Sequence, residues 1–255
     1  MKKLISLSIA TLITLGVSSA PVKGALAAKG ADTASYTPAP SYTAADYVQD
    51  GLVAMWDGIE NAGWGVHDPT TKVWTCLVDS RFDLTLKETA SVKDNNILLT
   101  SGSIPFPSDF TLPNVGLTVE VCHNPHVLSF FLFCAGSHAY ETPKIKTVKV
   151  GEDYLFANSY YRHNPPYTRN LSSKVSLIPI TNTFVGLEIT KMFQYNNGVS
   201  AADVENPSGW GYGGATKRIG GTYSGELFCI RAYNRALSEA EIKHNYKIDK
   251  ARFGL

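Results

Sequence analysis

The sequence predicts an all-β fold, an antiparallel β-sandwich that ends in one short helix. Between Tyr47 and Asn234, short apolar stretches alternate with turn residues, at the spacing of about 8–12 residues that is typical of sandwiches. No extended helical pattern precedes Ser238. The chain has 255 residues, of which 44% are hydrophobic, and this is enough for one domain with a core of its own. The formal charge of +1 argues against a basic surface for nucleic acid.

The N-terminus has the pattern of a secretory signal. Lys2 and Lys3 precede an apolar run over residues 4–17, and Ala25-Leu26-Ala27 supplies a small-residue cleavage motif. The apolar run is shorter than the roughly 20 residues that a spanning helix needs. We therefore predict a signal peptide over 1–27, cleaved after Ala27, and a protein that is secreted or otherwise extracytoplasmic. The alternative is an uncleaved anchor, because the two kinds of segment overlap in length.

Two further segments follow the predicted signal. Residues 28–46 are small, polar and contain prolines, a composition typical of an extended or flexible linker. Residues 47–255 then form the predicted domain.

The strands are predicted from short β-rich runs between turn residues. They are Leu52–Trp56, Phe82–Lys87, Ile97–Thr100, Leu117–Cys122, Val127–Phe133, Lys144–Val150, Tyr154–Phe156, Val175–Ile178, Phe184–Thr190, Met192–Tyr195 and Glu226–Tyr233. The pair Asn197-Gly198 predicts a tight turn, since both residues tolerate positive φ.

The strand over Leu117–Cys122 alternates apolar and other residues, which predicts one buried face. His123 to His126 reads as the turn of a hairpin that would pair this strand with Val127–Phe133.

The end of the chain passes from a strand directly into a helix. Alternation predicts two faces on this last strand: Phe228, Ile230 and Ala232 on one, and Cys229, Arg231 and Tyr233 on the other. Ser238 stands three residues before Glu241, which is the spacing of a capping box at a helix N-terminus. Ile242 and Tyr246 share a helical face, and we expect this face to cover an open end of the sandwich.

The segment IRAYNRALSEAEIKHNY, Ile230–Tyr246, resembles the closing segment of laminin-G-like, concanavalin A-like domains. The segments GLVAMWDGIENAGWGVHD, NVGLTVEVCHN and LEITKMFQYNNGV are similar to earlier parts of the same families. The resemblance implies a jelly-roll sandwich that binds glycans or proteins. Many relatives hold calcium at a rim, but the aspartates here form no dense oxygen-ligand loop. No metal or other cofactor is therefore assigned.

Relatives with this fold include glycoside hydrolases, which need two carboxylates about 5–10 Å apart. No E-x-D-x-x-E pattern occurs in the chain, and Glu120 is alone on its strand. We therefore expect no catalytic residue and a non-enzymatic function. A divergent glycoside hydrolase or polysaccharide lyase remains an alternative, because one fold hosts many functions.

Cysteine and histidine raise two further hypotheses. Cys122, His126, Cys134 and His138 have ligand types that suit zinc. In the predicted hairpin, however, Cys134 lies eight residues beyond His126, or about 26 Å along a strand, so we predict no zinc site.

Four cysteines in a secreted chain permit a disulfide. Cys76 to Cys229 is no better supported than the other pairings.

Aromatic residues in glycine-rich loops are the predicted ligand-binding residues: Trp64 in NAGWGVHD, and Trp210 and Tyr212 in PSGWGYGG. Aromatic rings in exposed loops are common binding elements. The alternative is that Trp64 and Trp210 cap the ends of the sandwich, while Trp56 and Trp74 belong to the core.

The predicted function is a secreted, non-catalytic binding module, with a glycan outside the cytoplasm as the first candidate ligand. The alternative is an adhesive or structural protein that binds a surface protein through the loop at 158–170. Neither nucleic acid nor a membrane span of the mature chain is expected.

Overall fold

The computed structural model of the chain describes residues 41–112, 116–127, 131–134, 144–150, 153–158, 177–188, 191–205 and 217–255. The strands are β1 Leu52–Asp57, β2 Val73–Trp74, β3 Leu84–Thr85, β4 Ala90–Val92, β5 Ile97–Thr100, β6 Ser103–Pro105, β7 Leu117–Pro125, β8 Phe131–Cys134, β9 Lys144–Val150, β10 Asp153–Asn158, β11 Ile180–Glu188, β12 Lys191–Asn196, β13 Val199–Glu205, β14 Arg218–Gly220 and β15 Ser224–Tyr233. The helix α1 spans Glu239–Phe253, and short 3-10 helices span Ala44–Asp46 and Ser80–Phe82.

The strands form two main antiparallel sheets, which confirms the predicted all-β class. An eight-stranded sheet has the order β13-β12-β11-β7-β15-β5-β4, and β1 also pairs with β15. A five-stranded sheet has the order β10-β9-β8-β14-β6, and β2 pairs with β3 separately. On one side of β15, β5 pairs with its first half and β1 with its second half, while β7 pairs along its other side.

An apolar core lies between the two main sheets. Trp56 and Trp74 are fully buried in it, as the sequence predicts. The indole nitrogen of Trp56 donates to the Phe82 carbonyl at 3.0 Å, and that of Trp74 donates to the Asp57 carbonyl at 2.8 Å. These bonds satisfy the polar edge of each buried ring.

The predicted hairpin between residues 117–122 and 127–133 is wrong. His123, Asn124 and Pro125 continue β7, which pairs with β11 and β15 in the larger sheet. β8 instead pairs with β9 and β14 in the smaller sheet. β7 and β8 therefore lie in different sheets. The separation between His126 and Cys134 that the hairpin predicted, which was the argument against zinc, does not apply.

The last strand contains a β-bulge that the alternation pattern cannot show. The register shifts between Leu227, opposite His123, and Cys229, opposite Cys122. Two residues then oppose one, so alternation is broken at the bulge. Ile230 and Ala232 face the core between the sheets as predicted, but Phe228 lies on the other face, stacked on Phe253.

Helix α1 begins with the predicted capping box. The Ser238 hydroxyl accepts from the Glu241 amide at 3.4 Å, and a Glu241 carboxylate oxygen accepts from the Ser238 amide at 2.8 Å. Gly254, with φ 72°, ends the helix in the left-handed region, where glycine is favoured. We expected the helix to cover an end of the sandwich. It packs instead on the outer face of the eight-stranded sheet.

Under α1, that sheet face carries charged and polar side chains among its apolar ones, and the charged ones are fully buried. Arg231 of β15 donates to Glu120 of β7 at 2.9 Å, and to both carboxylate oxygens of Asp249 on the helix at 2.7 Å. Asn245 of the helix donates to Glu120 at 2.7 Å, and Tyr47 donates to Asp249 at 2.7 Å. Glu120, Arg231 and Asp249 are each 0% exposed. We call these three residues the ionic triad.

The predicted signal over 1–27 and most of the predicted linker over 28–46 lie outside the described residues. Ala44–Asp46, at the end of that linker, form a 3-10 helix, and Ala44 is fully buried. The strand predicted at Val175–Ile178 is wrong for its described part, because residues 177–178 form a bend. No helix in the described part of the chain has the length and hydropathy to cross a membrane.

Candidate functional site

Trp64 stands at the tip of a tight turn that follows β1. The Val66 amide donates to the Gly63 carbonyl at 2.9 Å, which closes a four-residue β-turn over 63–66. Gly65 is its third residue and has φ 69°, as a type II turn requires. No heavy atom lies within 4 Å of a side-chain position at either glycine. The turn therefore projects into open space, and the Trp64 side chain is 45% exposed.

The carboxylate of Glu60 accepts a hydrogen bond from the backbone of the Trp64 turn. One oxygen of its carboxylate, Oε2, accepts from the Gly65 amide at 2.8 Å. The other, Oε1, accepts from the Ala44 amide at 2.7 Å and from the Arg252 guanidinium at 3.0 Å. Arg252 belongs to α1 and also pairs with Asp57 at 2.6 Å. One carboxylate thus joins the turn, the start of the described fold and the C-terminal helix.

The charges around Glu60 shift each other's ionisation in opposing ways. Burial raises the pKa of Asp57, although the positive charge of Arg252 lowers it. Burial is the largest single influence on Arg252 and acts to lower its pKa, but Asp57, Tyr47 and Cys229 together raise it above its ordinary value. Both side chains are almost fully buried. Such a pair needs its partners, because either charge alone would be costly in that position.

The rest of the loop is closed by side-chain to backbone bonds. Asn61 donates to the Asp68 carbonyl at 2.9 Å and accepts from the Asp68 amide at 2.8 Å. His67 Nδ1 lies 2.9 Å from the Ile59 carbonyl; since a carbonyl only accepts, Nδ1 carries the proton. The Thr70 hydroxyl donates to Asp68 and lowers the pKa of its carboxyl. These bonds hold polar groups in the same loop as the exposed indole.

Exposed apolar side chains concentrate in the segment of the chain that contains this turn. Seven large apolar side chains are exposed among the described residues, and four of them fall within residues 64–78: Trp64, Val66, Val73 and Val78. The Thr75 amide donates to the Asn61 carbonyl at 3.0 Å, so the two segments that carry these side chains are joined. Single exposed apolar residues are ordinary, whereas a local concentration marks a candidate binding surface. We call these four residues the apolar patch.

Trp210 and Tyr212, the other two predicted ligand-binding residues, lie outside the described residues, as does nearly all of the loop at 158–170. Both stay predictions. The support that Glu60 and Arg252 give to the Trp64 turn could not be predicted from the sequence, because Glu60 lies 192 positions from Arg252. A weak signal was present in Glu60 itself, an acidic residue four positions before a tryptophan in a glycine-rich loop.

The carboxylates of the ionic triad are not available to a substrate. Glu120 and Asp249 are fully buried beneath α1, and both are paired with Arg231. Burial raises the pKa of Glu120, and Arg231 opposes that rise. Hydrolysis of a glycosidic bond requires carboxyl groups that flank the bond, which these two groups cannot do.

A second polar cluster lies on the inner face of the larger sheet. His123 Nε2 is 2.7 Å from Asn182 Oδ1, and Nδ1 is 3.3 Å from the Tyr223 hydroxyl. Burial lowers the pKa of His123 to about 4, so the ring is neutral at neutral pH. All three side chains are buried, and the cluster offers no surface to a ligand.

Of the four residues considered for zinc, His138 and the side chain of Cys134 lie outside the described part of the chain, so the absence of a zinc site stays a prediction. Cys122 lies under α1, whereas its neighbour His123 points between the sheets. No group of three or more metal-ligating side chains occurs among the described residues. Cys76, Cys122 and Cys229 are buried as free thiols, and burial raises the pKa of each.

No protein-family model matches the chain, and no curated protein sequence matches it. Solved structures with a similar fold do exist. Domain 4 of AbnA, an extracellular arabinanase from Geobacillus stearothermophilus solved in complex with arabinotriose, is 17% identical, with a TM-score of 0.50. That alignment covers 64% of this chain and 83% of the domain.

Two further neighbours align with parts of longer chains. Trypanosoma rangeli sialidase is 14% identical, with a TM-score of 0.55 over 77% of this chain and 32% of the sialidase. The binding domain of Paraclostridial Mosquitocidal Protein 1 is 15% identical, with a TM-score of 0.54 over 77% of this chain and 52% of that one. This chain therefore spans about a third and about half of these neighbours. At such identities the likeness establishes a shared fold.

Proposed function

We propose that the protein is a non-catalytic, carbohydrate-binding module that acts outside the cytoplasm. The observation that carries this proposal is the half-exposed Trp64 indole, held in a fixed turn with polar groups in the same loop. Ligand sites typically combine apolar and aromatic surface with a few placed polar groups. An indole face can stack on the apolar face of a sugar ring, while neighbouring hydroxyl, imidazole and carboxylate groups bind sugar hydroxyls.

The comparisons support the same proposal through the fold. A similarly folded domain was solved with arabinotriose, and the terminal segment Ile230–Tyr246 resembles laminin-G-like, concanavalin A-like domains. A jelly-roll strand connection, membership of that family and export through the predicted signal all belong to this proposal. Trp210 and Tyr212 are proposed as further contacts to the same ligand.

The test is a binding assay on a polysaccharide and glycan panel that includes arabinan and sialylated glycans. For a glycan that binds, Trp64→Ala should weaken affinity about tenfold or more, as truncation of an aromatic anchor typically does. Val199→Ala is the matched control, because Val199 is 66% exposed and lies on β13, the edge strand farthest from β15. Equal losses in both variants, or no binding to any glycan, would refute the proposal.

A second candidate is protein binding, which the valines of the apolar patch favour. In that case Val66→Ser and Val78→Ser would abolish partner binding without any sugar dependence.

A third outcome is release of new reducing or unsaturated ends from the polysaccharides of the panel. That result would support a divergent glycoside hydrolase or polysaccharide lyase instead.

A further inference from the structure

Glu60 has an arrangement of hydrogen bonds that the proposed function does not by itself explain. Its two carboxylate oxygens serve different parts of the fold. Oε1 accepts from Ala44 and Arg252, whereas Oε2 accepts from Gly65 alone. The residue is 6% exposed. A buried carboxylate with charge-assisted bonds on both oxygens is among the strongest polar anchors available to a loop.

The bond to Gly65 acts directly on the proposed ligand residue. The Gly65 amide belongs to the peptide bond that joins Trp64 to Gly65, so Oε2 fixes the backbone plane beside the indole. The two glycines of this turn meet no packing partner, and glycine contributes the greatest backbone freedom. Without the carboxylate, the turn would keep the backbone bonds from Val66 to Gly63, from Ala62 to Val66 and from Gly63 to Glu60, but none of these involves the Gly65 amide.

We propose that Glu60 is the positioning residue of the Trp64 turn: it orders the indole before ligand arrives and ties it to Ala44 and α1. This inference rests on the proposed function for its effect on affinity, because a turn that is already ordered loses less entropy on binding. Its effect on the turn itself is independent of any ligand.

The substitution Glu60→Gln, made in the full-length chain, distinguishes the roles of the two carboxylate oxygens. A glutamine has one acceptor oxygen, and that oxygen should stay with the two donors, Ala44 and Arg252. Its NH₂ group then faces the Gly65 amide, and two donors cannot bond to each other. The variant should therefore release the Trp64 turn while it keeps the contact to Ala44.

The primary measurement is amide hydrogen exchange by NMR at Gly65 and Ala44. We expect exchange at Gly65 to become about 10- to 100-fold faster, given the strength of bonds to charged groups, with Ala44 little changed. Affinity for a glycan that binds the native protein should fall about 3- to 10-fold. Glu239→Gln on the exposed first turn of α1 is the matched control and should alter neither amide.

Unchanged exchange at Gly65, or equal acceleration at Gly65 and Ala44, would overturn the proposal. If Glu60→Gln reduces the folded fraction, Glu60→Asp keeps the charge beside Arg252 but withdraws the carboxylate by one methylene, and the same two amides are measured. If the native protein binds no glycan, the proposed function fails while the exchange result still decides the role of Glu60.

Discussion

Two regions of this protein reverse the usual distribution of polar and apolar groups. Under α1, the outer face of the eight-stranded sheet buries the ionic triad of Glu120, Arg231 and Asp249 completely. At the Trp64 turn, a large indole is left half exposed. Charged residues are rarely buried unless they are paired, and each charge in the triad is paired at 2.7–2.9 Å.

The difference shows what each region is suited to do. The ionic triad requires one arrangement of β7, β15 and α1, because any other leaves a charge unpaired in the interior. Its polar groups are satisfied within the protein. The Trp64 turn leaves its ring without such cover, and its fixed backbone depends on Glu60. The Glu60–Arg252–Asp57 cluster connects the two regions, since Arg252 lies on the helix that covers the triad.

The largest expected effect comes from breaking the triad. Arg231→Met would leave Glu120 and Asp249 buried without their cation, and removal of one partner from a buried pair costs about 3–5 kcal/mol. Urea unfolding followed by fluorescence measures this loss in the free energy of unfolding. Arg81→Met is the matched control: Arg81 pairs with Asp79, but its side chain is 72% exposed, and such pairs contribute about 0–1 kcal/mol. Similar losses in the two variants would show that burial of the triad adds nothing.

A smaller effect is expected at the N-terminus of α1. Bonding to Arg235 and Ser238 lowers the pKa of Glu241 from its ordinary 4.5 to about 2. A lowered carboxyl pKa adds stability that is fully present above pH 4.5 and is lost as the pH falls through 2. Glu241→Gln keeps the capping geometry but removes the charge, so we expect a loss of about 0.5–1 kcal/mol at pH 7.

Urea unfolding at several pH values tests this expectation. The curves for Glu241→Gln and the native protein should converge as the pH falls toward 2, because the native carboxylate then loses its charge. Glu239→Gln removes an exposed charge from the same helix turn and serves as the control. A constant difference between Glu241→Gln and the native protein across this range would contradict the assignment of the stabilisation to the Glu241 charge.

The smallest expected effect on stability lies at the Trp64 turn. Trp64→Ala should change the free energy of unfolding by no more than about 0.5 kcal/mol, as is usual for exposed sites, even though it abolishes the proposed ligand contact. Thermal unfolding in the absence of ligand is the measurement. A loss of several kcal/mol would mean that the indole caps the sandwich, which is the alternative that the sequence left open.

Several local features were predictable from the sequence because their partners lie close together along the chain. Ser238 and Glu241 of the capping box are three positions apart, and the turn at Asn197-Gly198 has the positive φ values of 52° and 72° that the pair predicts. The burial of Trp56 and Trp74 was also predicted correctly. The exposure of Trp64 agrees with its glycine-rich surroundings.

Features that depend on strand register were not predictable. The bulge at Phe228 moves that side chain from the expected face to the helix side, and nothing in the local alternation marks an extra residue. Glu120 is the only carboxylate of its strand, as the sequence shows, but its pairing with Arg231, 111 positions away, could not be read from the sequence. The hairpin assigned to residues 117–133 followed a plausible turn sequence, but β11 and β15 are the partners of β7.

By itself, the sequence determined the β class, the terminal change from strand to helix and the bonds that begin that helix. All of these arise from residues within a few positions of each other, where chain geometry limits the choices. The tertiary structure alone decided which sheet face α1 covers, which charges meet beneath it, and how Glu60 anchors the Trp64 turn. The decisive contacts, such as Glu120 with Arg231 and Glu60 with Arg252, join residues more than a hundred positions apart, so they exist only after the sheet has set its register.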